Sequence, residues 1–207
     1  VTVVTTSPNH TDHLDAETLL PLLAASPAAV LVGAAANRDF IVSRLGPAAA
    51  ARLVVLDDGG RVRVGGCTLE AVPAAHEERR AEFAGFVATL GPFRIYHSGD
   101  TVRFPGQVER LRPLGLDLAL LPINGRAPER RVAGNLDGAE AAHLAREIGA
   151  RWAIPCHFEM FAFNTASPDG FVAACRELGQ PHAVLRAGAR WELPPAGASP
   201  PTSPLPS

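Results

Sequence analysis

The sequence predicts an α/β (α+β) fold in which β-sheets are covered by helices. Three observations lead there. The first half carries a run of short β-branched segments separated by glycine- and proline-bearing turns, with little room between them for helices. The second half alternates helical and strand patterns. Histidine and aspartate side chains recur just past several of the apolar runs, where a rigid sheet holds a loop atom in place.

Taken in order, residues 1–6 read as a buried strand ended by Ser7-Pro8, and residues 10–15 as a polar loop after it. Residues 16–25 have helical spacing with Asp15 as N-cap. Residues 29–34 form a strand, and residues 38–45 a short helix stopped by Gly46-Pro47. Strands follow at 53–56, 61–64, 68–72, 85–90 and 93–97, punctuated by Asp58-Gly59-Gly60, Gly65-Gly66 and Gly91-Pro92, which is hairpin chemistry. The rhythm then changes to helix 107–114, strand 116–121, helix 138–148, strand 152–155, helix 169–178 and closing strands at 183–185 and 190–193. Residues 1–193 read as one domain, and residues 194–207 as a disordered tail rich in proline and serine. A chain that opens on Val1, already inside a strand, reads as lacking an N-terminal segment.

Composition narrows the function classes. The chain has 207 residues, 47% hydrophobic and 19% charged, enough to bury a core. Its net charge of −2, with every positive charge an arginine, gives no footprint for nucleic acid. No apolar run approaches the ~18–20 residues needed to span a bilayer, so no membrane partner is expected. Cys67, Cys156 and Cys175 are far apart and odd in number, which fits a reducing, cytoplasmic compartment. A small-molecule substrate is the expected partner, and a homo-oligomer is compatible with the sequence.

Four segments end apolar runs with metal-type donors: Asn9-His10-Thr11-Asp12-His13, Ala75-His76-Glu77, His97-Ser98-Gly99-Asp100 and Pro155-Cys156-His157. The mixed His/Asp set suits zinc, or manganese or iron, better than calcium. Gly99 lets the backbone turn tightly before Asp100. Each residue also has an ordinary reading. His10 and His13 fit a solvated loop, His157 could satisfy a backbone carbonyl, and Gly-Asp is a common turn pair. Co-occurrence in one order, at strand ends, favours the metal reading. Around this set, His97 reads as either an orienting group or core. Asn124 and Arg126 are candidate substrate contacts, with a solvated loop the preferred reading for Arg126. Asn135 reads as a helix cap or a substrate contact, capping being preferred. Phe158, Met160, Phe161 and Phe163 read as core packing in preference to a pocket wall.

The order HxDH, a later His, GD after a strand and His after a final strand resembles the metallo-β-lactamase superfamily. Tyr96–Thr101, Ile154–Phe161 and Leu121-Pro122-Ile123-Asn124-Gly125 resemble the branch that includes L-ascorbate-6-phosphate lactonase and related metal-dependent hydrolases. The likeness implies a four-layer αββα sandwich, lacking here its first N-terminal strands. It implies His10 and His76 at a first metal, Asp12, His13 and His157 at a second, and Asp100 bridging. It implies a metal-activated hydroxide acting on a small-molecule ester, lactone or phosphoester, with Asp12 orienting groups or shuttling a proton. The family motif is HxHxDH, and its first His falls where this chain has Pro8, which offers no ligand atom. Three outcomes stay open: one ion at the second site, two ions with a labile first, or a degenerate non-catalytic binder. A nuclease of the same superfamily is disfavoured by the lack of a basic arm.

Overall fold

The computed structural model describes residues 1–7, 10, 12–127 and 134–195. Pro8 and the tail beyond residue 195 lie outside the described residues, as do the readings placed on them. Two sheets form. The first has three parallel strands in the order β1 (Val3–Thr6), β2 (Val30–Ala34) and β3 (Leu53–Leu56). Parallel neighbours require crossovers, supplied by α1 (Ala16–Ala25) and by α2 (Arg38–Leu45) with α3 (Pro47–Ala50). Asp15 caps α1 as expected, accepting from the backbone N–H of Glu17 and Thr18 at 3.2 and 3.0 Å. Gly46-Pro47 does more than stop α2: Pro47 occupies the first turn of a new short helix, where its missing N–H costs nothing.

The second sheet runs β4 (Arg61–Val64), β5 (Cys67–His76), β6 (Glu78–Leu90), β7 (Phe93–His97), β8 (Leu118–Pro122) and β9 (Trp152–Cys156). It is antiparallel through β7 and parallel from β7 to β9. The strands expected at 68–72 and 85–90 are longer. Pro73 marks an irregularity in the ladder, with a register shift between Pro73 and Ala75, and pairing resumes at Ala75–Arg79. The hairpin therefore carries His76 to its tip.

Side chains alternate between faces and so define four layers. On β2, Leu31 joins Leu14, Leu23, Ile41 and Leu45 under the helices, while Val32 joins Leu56, Leu69, Ala71 and Phe86 between the sheets. On β8, Ala119 and Leu121 face the apolar sides of α5 (Gly138–Glu147) and α6 (Asp169–Leu178), and Leu118 faces the other way. The arrangement is helix, sheet, sheet, helix.

Three expectations need correcting. Residues 183–185 and 190–193 form no strands. They cover Leu118, Trp152 and Ile154 through side chains, Trp191 meeting Trp152 at 5.3 Å between ring centroids, with a single bridge from Ala153 to His182. The helix expected at 107–114 is α4 (Gln107–Leu111) followed by a 3₁₀ turn at Pro113. Asn135 caps nothing. Asp137 is the N-cap of α5, in a capping box with Glu140.

Candidate metal centre

Loops at the ends of β1, β5, β7 and β9 converge on Asp100. Its carboxylate is 3% exposed, and every ion pair it makes among the described residues is to a histidine. Oδ2 lies 3.1 Å from His13 Nε2, 3.8 Å from His76 Nε2 and 3.9 Å from His10 Nδ1. His157 Nε2 stands 3.6 Å from Oδ1 of Asp100 and 3.4 Å from Asp12 Oδ2. Two donor groups result, each with its atoms within 4.8 Å of one another: His10, His76 and Asp100, and Asp12, His13, Asp100 and His157. Either group could hold a metal ion.

The backbone around them is held for the purpose of turning. Gly99 has φ +63°, and a Cβ there would meet Ser7 Cβ at 2.7 Å and the Ala84 carbonyl oxygen at 2.8 Å. His157 and Glu77 also take positive φ, at 59° and 70°, which non-glycine residues adopt rarely. Two rings are oriented from behind. His76 Nδ1 donates to the Gly134 carbonyl at 2.9 Å, and His13 Nδ1 pairs with Ser7 Oγ at 3.1 Å, so each presents Nε2 to Asp100. Phe83 packs edge-on against His76 and His10, with centroids at 5.5 and 6.3 Å.

The electrostatics follow from this crowding. Burial opposes the charge on Asp100, but the hydrogen bond from His13 and the neighbouring His157 and His76 outweigh it, leaving the carboxyl well below the usual range. The Asp12 carboxyl is also lowered, chiefly by its contact with His157. Burial lowers His76; burial also works against His157, yet Asp12 and Asp100 together raise it. Beside them, burial pushes the Cys156 thiol up to about 12, so it stays protonated.

A family model described as the beta-lactamase superfamily domain matches residues 1–158. The chain belongs to this family. A "UPF0173 metal-dependent hydrolase" from Rubrobacter xylanophilus is 36% identical over 136 residues, covering 60% of this chain and 53% of that protein. The match thus spans about half of that relative's length. A protein of the same description from Metallosphaera sedula is 29% identical over 198 residues, covering 93% of this chain and 81% of its own. Among solved structures, Igni18, described as a novel metallo hydrolase from Ignicoccus hospitalis, superposes with a TM-score of 0.73 at 19% identity, covering 91% of this chain and 78% of the other. That likeness speaks to the fold.

The β-lactamase superfamily domain here places the residues singled out in the sequence as follows. His97 Nδ1 accepts the Gly99 N–H at 3.1 Å, bracing the turn that carries Asp100, and burial lowers its pKa. Asn124, expected as a substrate contact, is 1% exposed; its amide accepts from Asn135 at 3.0 Å and donates to Asn164 at 2.9 Å. Arg126 pairs with Glu140 and donates to the Asn135 carbonyl at 2.9 Å. Of the aromatic stretch, Phe158 packs on the core, but Met160 and Phe163 are 58% and 65% exposed, so core packing fails for those two. A cavity of about 600 Å³ lies beside His76, lined by Glu77, Arg103, Arg126, Gly134 and Glu140 among others. Asn135, expected as a helix cap or a substrate contact, instead donates from Nδ2 to Asp100 Oδ1 at 2.9 Å. The Asp137-Gly138-Ala139-Glu140 capping pattern was the signal that could have released it from the helix end. Among the described residues, no helix is long and apolar enough to cross a membrane.

Proposed function

We propose that this chain is a metal-dependent hydrolase acting on a small-molecule ester, lactone or phosphoester. The observation that carries it is the sharing of one buried carboxylate, Asp100, by two donor groups, each with one histidine, His76 or His13, oriented from behind. A buried carboxylate whose ion pairs, among the described residues, are all to neutral-capable imidazoles suits a divalent ion better than a structural ion pair. His10, His76 and Asp100 would hold one ion, and Asp12, His13, Asp100 and His157 another. Zinc is the leading candidate, with manganese or iron as alternatives.

A divalent ion bound there would supply Lewis-acid chemistry, lowering the pKa of water to about 7 and stabilising developing negative charge. The chain's own part is positional. Asp12 Oδ2 lies between His157 and His13, at 3.4 and 3.7 Å, where it can orient a group or accept a proton at the cluster's edge. The neighbouring cavity is lined by Glu77 and by two arginines already in ion pairs, Arg103 with Glu147 and Arg126 with Glu140, so an anionic substrate group would have to compete with those carboxylates. The metal-dependent hydrolase description of the Rubrobacter and Metallosphaera relatives supports the reaction class. Cytoplasmic placement is part of the same reading.

Elemental analysis of the purified chain, followed by assays against lactones, carboxylic esters and phosphodiesters, tests it. Bound zinc, manganese or iron with turnover of one class is the expected result. Pro8 in the first motif position supports a second reading, a binding protein without turnover. Stoichiometric metal with no hydrolysis in any class would favour that one, and absence of metal after loading would sink both.

A further inference from the structure

Asp100 is held by more than histidines. Asn135 is 1% exposed, and its Nδ2 donates to Asp100 Oδ1 at 2.9 Å and to Asn124 Oδ1 at 3.0 Å. Asn124 Nδ2 donates in turn to Asn164 Oδ1 at 2.9 Å. The orientation of these amides is chemically forced, because an ionised carboxylate only accepts, so the NH₂ of Asn135 must face it. Asn135 Oδ1 is meanwhile buried with no hydrogen-bond partner among the described residues. A buried amide oxygen left unsatisfied is costly. The site tolerates that cost while both protons of the amide point at acceptors, one of them Asp100.

The backbone of Asn135 is strapped in place. Its N–H donates to Gly125 O at 3.2 Å, its carbonyl accepts from Arg126, and the next residue, Leu136, donates to Thr101 O at 2.8 Å. The Thr101 strap ties it to the segment that carries Asp100 itself. At the far end, Asn164 closes the turn opposite Phe161, in the loop that follows His157.

We propose that Asn135 is a positioning residue for Asp100, and that the chain Asp100–Asn135–Asn124–Asn164 locks Oδ1 so that Oδ2 stays free to serve both donor groups. Oδ2 is the atom nearest His10, His13 and His76, and a carboxylate free to rotate would exchange its two oxygens. The proposal rests on the metal-binding reading above.

The test measures zinc affinity of the full chain by competition with a chromophoric chelator, and the visible spectrum after cobalt loading. Asn135→Ala is expected to lose about 10- to 100-fold in zinc affinity and to shift the cobalt absorption. Asn135→Leu keeps the volume but not the donor. A packing role predicts wild-type affinity for it, and the positioning role predicts a loss like that of alanine. Asn164→Ala, two amides removed from Asp100, is expected to shift the cobalt spectrum in the same direction by less, and it carries the test if either Asn135 variant fails to fold. Wild type that binds neither ion overturns the metal reading and this one together. Wild type that binds both, with the Asn135 variants, or Asn164→Ala in their place, matching it in affinity and spectrum, overturns this one alone.

Discussion

His13 Nε2 lies 3.1 Å from Asp100 Oδ2, the shortest of the histidine contacts to the carboxylate that the two donor groups share. Because Asp100 belongs to both groups and each histidine to one, their substitutions separate. Asp100→Ala is expected to empty both positions, whereas His76→Ala and His13→Ala each remove one. Metal-to-protein ratios by mass spectrometry, after dialysis against limiting chelator, check this. Equal losses in all three variants would rule out the shared-carboxylate arrangement.

Pro8→His restores a donor at the first position of the HxHxDH pattern. The expected result is more metal bound at the weaker position and faster hydrolysis, read by elemental analysis beside turnover under zinc or manganese. Unchanged metal and unchanged rate would mean that Pro8 vacates no ligand position.

For the metal-free protein, the pH dependence of stability follows from the signs of the shifts. Asp12 and Asp100 have folded pKa values below their ordinary 3.8, so their contribution is present above that value and is lost as the pH falls through the folded values. His76 and His97 are lowered from 6.5, so protonation of the unfolded chain erodes stability in the same direction below that pH. His157 is raised and acts oppositely, its contribution present below 6.5 and lost as the pH rises through its folded value. The melting temperature should fall steeply on the acid side, and Asp100→Asn should flatten the lowest part of that limb. A melting temperature that rises on acidification would contradict the assignment.

Gly99→Ala should destabilise the fold and disturb the site together. The added methyl would lie 2.7 Å from Ser7 Cβ and 2.8 Å from the Ala84 oxygen, on a backbone at φ +63°. A loss of about 1–3 kcal/mol in urea unfolding is expected for such a strained position. Ser7 also braces His13, so metal affinity should drop with it. A variant as stable as wild type would show that the turn can relax.

Much of the layer order was legible in the sequence. Short β-branched runs with glycine turns marked β2 to β4 and β7 closely, because such runs between turn residues leave a local signature. The hairpin of β5 and β6 was read short because Pro73 looks like a strand end; pairing with β6 carries the ladder past it. The closing strands at 183–185 and 190–193 had the right apolar residues but no partner strand. Their side chains cover Trp152 and Ile154 without a ladder, and that depends on what lies beneath them.

The sequence by itself determined the donor types, their order and their places at the ends of apolar runs, since these are properties of local chemistry and spacing. It offered a helix cap or a substrate contact for Asn135, not a carboxylate partner, and could not say which oxygen of Asp100 is shared. Those depend on contacts between segments far apart in the chain, such as Asn135 with Asp100 and His76 with Gly134. Only the packing of sheet on sheet and the straps between loops bring such groups within hydrogen-bonding distance, because hydrogen bonds act over about 3 Å and carry no trace in local sequence.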